Sequence, residues 1–227
     1  MRARLGEVTN RPGVTRTRPR ASLVVEAALG VVGLLAFVAL AAAFVRGGQV
    51  VVVDDDVSRW VAESIPGWIE WIARLFTWLG GPVGTAVVAG SAAVLLWRAG
   101  RKEDAGFVVL SVVGITVLVA VLKAIYERAR PEIGSAIPLP HSYSFPSGHA
   151  ATAVVLYGAL GLLLAERARS PTRAAAWLVA AGFVAIAIGA SRVLLNVHFV
   201  SDVAAGFAVG LAWLCCCAIV RDMLRGR

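Results

Sequence analysis

Three stretches of this chain carry side chains able to do chemistry. One runs Ser191-Arg192-Val193-Leu194-Leu195-Asn196-Val197-His198-Phe199-Val200-Ser201-Asp202. His198 and Asp202 stand at i, i+4, so on a helix beginning near His198 the imidazole reaches the carboxylate. Such a contact fixes the tautomer, leaves the other ring nitrogen free to attack, and stabilises positive charge on the ring. A lone His-x-x-x-Asp is more often only a structural hydrogen bond. A second stretch, Pro146-Ser147-Gly148-His149, leads directly into an apolar run. The free N–H groups of a helix start form an anion site, Gly148 allows close backbone approach, and Ser147 can donate to a phosphate oxygen. A simple helix cap with His149 at a wet boundary fits this stretch equally well. In the third stretch Lys123 and Arg130 lie seven residues apart, ahead of Pro131. On one helix they would share a face, about 10 Å apart, before the proline ends it. They could converge on one group, or snorkel as bases at a helix end.

Together the stretches say more than each alone. Lys123, Arg130 and Arg192 supply three cations, His149 and His198 two imidazoles, and Asp202 a carboxylate. Metal ligation by His149, His198 and Asp202 is one reading. The cations argue against it, because they repel a metal ion and attract an anion. They suit the dispersed charge of a transferring phosphoryl group. No metal or other cofactor is expected.

The elements that must position these groups are membrane spans. Of 227 residues, 59% are hydrophobic and only 16% charged, and the mean hydropathy is +0.78. That excludes a disordered chain and is more apolar surface than one small soluble core can hide. A net charge of +8 on so apolar a chain argues against a nucleic-acid binder, whose basic residues lie on a polar surface. Six runs can cross a bilayer as helices: Leu23–Val45, Pro82–Trp97 (short, so starting a few residues earlier), Ala105–Leu122, His149–Ala165, Ala174–Ala190 and beyond, and Val203–Val220. The expected fold is all-α: a polytopic membrane protein of six transmembrane helices plus an outer interfacial amphipathic helix. That extra helix is expected within Val50–Leu79, where Trp68, Ile72, Leu75 and Leu79 recur at helical spacing opposite Glu70 and Arg74, with Trp as interface anchor. Asp54, Asp55 and Asp56 read as a solvated loop in preference to a cation site.

Fifteen of the 22 Lys and Arg fall on the side that holds both termini. The positive-inside bias makes that side cytoplasmic and turns the ionisable cluster towards the periplasm or exterior. Residues 1–20, rich in Arg, read as a disordered cytoplasmic tail, a topology determinant near anionic lipid, and residues 21–227 as one domain. The adjacent Cys215, Cys216 and Cys217 can build neither a disulfide framework nor a spaced metal site. Gly206 and Gly210 permit close helix packing.

The three stretches resemble the type-two phosphatidic acid phosphatase superfamily. Its pattern is Lys, six residues, Arg-Pro; then Pro-Ser-Gly-His; then Ser-Arg, five residues, His, three residues, Asp. Lys123 to Arg130-Pro131, Pro146 to His149, and Ser191-Arg192, His198 and Asp202 match it without departure, a signature region of 123–202. The resemblance implies a metal-independent phosphatase with His198 as the nucleophile that forms a phosphohistidine. It implies that Asp202 orients His198, and that His149 protonates the leaving oxygen and then activates water. Lys123, Arg130 and Arg192 would hold the phosphate, helped by Ser147 and Gly148. Arg128, His141 and Tyr143 lie outside the signature, as candidates for substrate selection. The expected partner is a phosphorylated membrane lipid within the bilayer, with a polyprenyl (undecaprenyl) diphosphate as first choice. Alternatives are a glycerolipid phosphate, a phosphoryl-lipid transfer reaction, or non-catalytic binding or transport of an anionic lipid.

Overall fold

A computed structural model describes residues 20–132, 134–139 and 141–225. The Arg-rich tail expected over residues 1–20 lies outside them, save Arg20, which opens the first helix. The described residues form eight helices and no strand: α1 (Arg20–Arg46), α2 (Gln49–Ser64), α3 (Gly67–Gly80), α4 (Pro82–Arg98), α5 (Lys102–Tyr126), α6 (Gly148–Ala165), α7 (Pro171–Leu194) and α8 (Val200–Arg225). Helices suit runs this apolar because each satisfies its own backbone polar groups, for which a bilayer offers no partner. Local chemistry sets the ends. Pro82 and Pro171 sit in first turns, where the missing N–H costs nothing. Ser170 caps α7 by accepting from Arg173 N at 3.3 Å.

Five helices, α1 and α5 to α8, are each long and apolar enough to cross a membrane. α3 and α4 meet at 51° and together supply up to a sixth span. The shortness of the Pro82–Trp97 run thus has a structural answer: another helix precedes it, bent away across the break at Gly81. The stretch read as one interfacial helix divides into two, α2 and α3. Trp68, Trp71 and Leu75 of α3 face outward, while Ala73 is buried.

α6 is the centre of the bundle. It packs against α5, α7 and α8 and buries Ala150, Ala151, Val155, Leu156 and Ala159. Close approach of α8 depends on the two glycines singled out in the sequence. A Cβ at Gly206 would lie 2.5 Å from the Ser147 carbonyl oxygen, and one at Gly210 would lie 2.7 Å from that of Ala151. These contacts lie within one chain, so the Gly-x-x-x-Gly step seats α8 on the start of α6. At the far end of α8, Arg221 donates to Asp104 at 2.9 Å and to Glu166 at 2.8 and 2.7 Å, tying α8 to α5 and to the end of α6.

Two expectations are corrected. α5 does not run on to Pro131. It ends at Tyr126, where Glu127 adopts a left-handed conformation (φ 45) and its N–H closes on the Lys123 carbonyl. Lys123 and Arg130 therefore do not share a helix face, and Arg130 sits in the following loop. The second correction concerns Asp54. It is not in a solvated loop but on α2, buried and bonded to Arg128 and Ser201; Asp55 and Asp56 are exposed.

Candidate active site

α8 begins two residues after His198, and Asp202 lies in its first turn. The i, i+4 geometry holds: His198 Nδ1 is 3.3 Å from Asp202 Oδ2. That oxygen also accepts from the Phe199 N–H at 3.0 Å and from the Ser144 hydroxyl. Asp202 is 0% exposed, so these donors replace the water that an ionised carboxylate needs. On the other side of the ring, Arg130 Nη1 lies 3.1 Å from His198 Nε2. A guanidinium can only donate, so Nε2 carries the lone pair and Nδ1 the proton. Burial pushes the His198 imidazole down to about 3, against the opposing pull of Asp202. The ring is neutral at pH 7 and its basic nitrogen faces the cations.

The loop between α5 and α6 delivers Arg130. Its Nε donates to the Ser142 carbonyl and its Nη1 to that of Val197, at 2.8 and 2.7 Å. Burial lowers the Arg130 pKa and Asp202 opposes that; from so high a reference value the group stays charged. Lys123 does not snorkel. Its Nζ donates inward to the carbonyls of Tyr143 and, at 3.4 Å, Ser144. Arg192, in the last turn of α7, is buried and donates through Nη1 to Thr77 Oγ1 on α3. Its Nε has no hydrogen-bond partner in the protein.

α6 starts where the sequence places it, with Ser147 at the N-cap. Yet the Ser147 hydroxyl caps nothing and, like Arg192 Nε, is buried without a partner. The simple-cap alternative is therefore not what forms. His149, one residue into α6, rests against the α3–α4 break: Cβ atoms built on Gly80 and Gly81 would lie 3.5 and 3.6 Å from its ring. Direct contacts gather the matched positions: Lys123 and Arg130 both donate to the Tyr143 carbonyl, Arg130 reaches His198, and Arg192 binds Thr77, one helical turn before the Gly80 against which His149 rests. Among the described residues, no group of three or more His, Cys, Asp and Glu could hold a metal ion.

The side chains outside the signature divide. His141 and Tyr143 are exposed and, with Arg130, Glu132 and Ser142, line an open cavity of about 520 Å³. Arg128 is a different case. It is 6% exposed and spans Asp202, Ser201 and Asp54. Sequence reasoning missed Thr77 and Ser144, single polar residues at unremarked positions, and placed Asp54 in a solvated loop; only the fold brings the three to the site.

Fold and site define a class: a multi-pass helical membrane enzyme with a buried imidazole–carboxylate pair facing three cations. Residues 104–225 match the model of the PAP2 superfamily. The chain is 32% identical to phosphatidylglycerophosphatase B of Bacillus subtilis over 79% of its own length and 89% of that protein. It is 34% identical to an undecaprenyl-diphosphatase of Sulfolobus acidocaldarius over 55% of this chain and 57% of that one. A crystal structure of a transmembrane PAP2-type phosphatidylglycerolphosphate phosphatase from Bacillus subtilis superposes with a TM-score of 0.74 at 28% identity, covering 83% of this chain and 94% of that one. Aquifex aeolicus LpxE shares the fold, with a TM-score of 0.55 at 23% identity, over 75% of this chain and 92% of that one. The chain belongs to the PAP2 superfamily, and it is a membrane lipid phosphatase.

Proposed function

We propose that this enzyme removes a phosphate or diphosphate head group from a membrane lipid at the outer leaflet, through a phosphohistidine on His198. The observation that carries the reading is the orientation of His198, with Nδ1 held by Asp202 at 3.3 Å and Nε2 directed at Arg130 at 3.1 Å. In the first step Nε2 forms a bond to phosphorus as the phosphorus–oxygen bond to the lipid breaks. The departing oxygen takes its proton from His149, and the ring keeps its Nδ1 proton and becomes cationic. In the second step His149 takes a proton from water, the oxygen attacks phosphorus, and the phosphorus–nitrogen bond breaks. Lys123, Arg130 and Arg192 bind the phosphoryl oxygens, and the unpartnered Ser147 hydroxyl and Arg192 Nε donate to them alongside the Gly148 N–H. No step requires a metal.

Two lipid head groups are supported. The likeness to the phosphatidylglycerophosphatase runs over 89% of that protein and that to the undecaprenyl-diphosphatase over 57%. This moves a glycerolipid phosphate ahead of the polyprenyl diphosphate favoured from sequence. An apolar cavity of about 320 Å³ between α3 and α7, lined by Ile72, Phe76, Ala187 and Leu194, reaches Ser191 beside Arg192 and suits either tail. Phosphate release in detergent from phosphatidylglycerophosphate, phosphatidate, undecaprenyl diphosphate and a soluble phosphate ester decides among them. Wild type is expected to release phosphate with chelator present, and His198→Ala is expected to bind lipid without releasing it. Equal release from both proteins overturns the mechanism.

A further inference from the structure

Asp54 lies outside the three motif stretches and Arg128 fills no signature position within them, yet they are 2% and 6% exposed. Arg128 lies between two rings, its guanidinium carbon 4.6 Å from the Phe44 centroid and 4.3 Å from that of Phe199. Its Nη1 donates at 2.7 Å to Asp202 Oδ1 and at 2.7 Å to Ser201 Oγ, and its Nη2 at 2.7 Å to Asp54 Oδ2. Asp54 in turn accepts from the Ser201 N–H at 3.0 Å and from the Ser201 hydroxyl. Asp202 thus turns Oδ2 to His198 and Oδ1 to Arg128.

We propose that Asp54 and Arg128 are positioning residues for the reaction: they hold the Asp202 carboxylate aimed at His198 and keep its negative charge available to that ring. The inference rests on His198 as the nucleophile. Arg128 alone would fix Asp202 but also neutralise it. Asp54 supplies a second carboxylate to the same guanidinium, so the three groups carry one net negative charge. With His198 neutral, that charge has no further counter-ion on its own side of the ring, Arg130 lying beyond Nε2. When Nε2 takes the phosphoryl group and the ring becomes cationic, the cluster balances. Burial makes such charges act strongly on one another, so the arrangement favours the intermediate over the resting state. A purely architectural role would be to strap α2 to α8. A second pair already docks α2: Ser58 Oγ donates to Asn196 Oδ1 at 2.8 Å, and Asn196 Nδ2 to the Ser58 carbonyl at 3.0 Å.

The test uses the purified full chain in detergent with a short-chain phosphatidate. Asp54→Asn keeps size and an acceptor oxygen and removes the charge. It is expected to lower kcat roughly tenfold or more, with KM within about twofold and the melting temperature little changed. Ser201→Ala removes the shared hydroxyl without a charge and should cost less. The chain has three histidines, so the Nδ1–H proton resonance of His198 can be assigned by its loss in His198→Gln. It should move in Asp54→Asn, which an architectural role does not require. An unmoved resonance with wild-type kcat per folded molecule overturns the proposal, as does a larger loss in Ser201→Ala than in Asp54→Asn. If Asp54→Asn does not fold, Arg128→Lys takes its place. It keeps the charge and loses the two-armed bridge, and wild-type kcat there overturns the proposal equally. Activity retained in His198→Ala would sink the nucleophile assignment itself, an outcome separate from these.

Discussion

His198 is buried as a neutral ring, its pKa pushed down to about 3 from 6.5. The unfolded chain therefore binds a proton near pH 6.5 that the folded protein refuses until about pH 3. Stability is complete above the unfolded value and declines as the pH falls through that window. Apparent melting temperatures at pH 7.5 and 4.5 should show a larger acid loss for wild type than for His198→Gln; an equal loss would mean the ring is not buried neutral. Arg192 tests the phosphate cradle. Arg192→Lys keeps a cation but loses the fork that reaches Thr77 while leaving Nε free. It is expected to raise KM several-fold or more, with Thr77→Val following in the same direction by a smaller factor. These effects are read from initial rates, and a fall in kcat alone would remove Arg192 from substrate binding.

Helix contacts decide how closely these side chains meet. α8 carries Asp202 and α6 carries His149, and the two helices touch backbone to Cα at Gly206 and Gly210. Gly210→Leu has no space to expand into. Overpacking typically costs about 1–3 kcal/mol, and here the obstacle is the Ala151 backbone. The variant is expected to melt lower and lose most phosphate release, whereas Gly90→Leu, in open space on α4, should alter neither. The α3–α4 break is the second such element. A side chain at Gly80 would collide with Ile188 in van der Waals reach of the His149 ring, so the shift that Gly80→Val forces should depress kcat more than KM in steady-state kinetics.

Across the whole molecule the charged groups sort to the two ends of α8. Asp202 and Arg221 are nineteen residues apart, about 28 Å along a helix, close to the thickness of a hydrocarbon core. The Arg221 cluster closes the end opposite the site, and Arg221→Ala removes the buried partner of Asp104 and Glu166 but leaves them Arg225 and, for Asp104, Arg101. The cost should fall below about 3–5 kcal/mol, that of a fully uncompensated buried pair, and appear as lower melting with kcat per folded molecule kept. The bias of basic residues predicts a site on the outer side. A single cysteine at His141, in a chain whose Cys215, Cys216 and Cys217 are replaced by Ala, should react with a membrane-impermeant maleimide added to intact cells. Labelling only after lysis would reverse the orientation.

Much of this was legible in the sequence because its physics is local. Apolar runs long enough to span a bilayer fix most of the helices. The spacing of His198 and Asp202 needs one helical turn to become a contact, and Pro146-Ser147-Gly148 marks the start of α6. What the chain order does not encode locally is the meeting of residues far apart along it. Lys123 and Arg130 looked like neighbours on a helix. They converge instead because Glu127 turns left-handed and the loop carries Arg130 back to His198. Asp54 looked like a solvated acid because nothing around it announces Arg128, 74 residues away. Thr77 and Ser144 gave no signal for the same reason. A single polar side chain acquires meaning only from what faces it, and in a bundle that is set by helix packing, which the glycines of α8 allow and a linear pattern does not display.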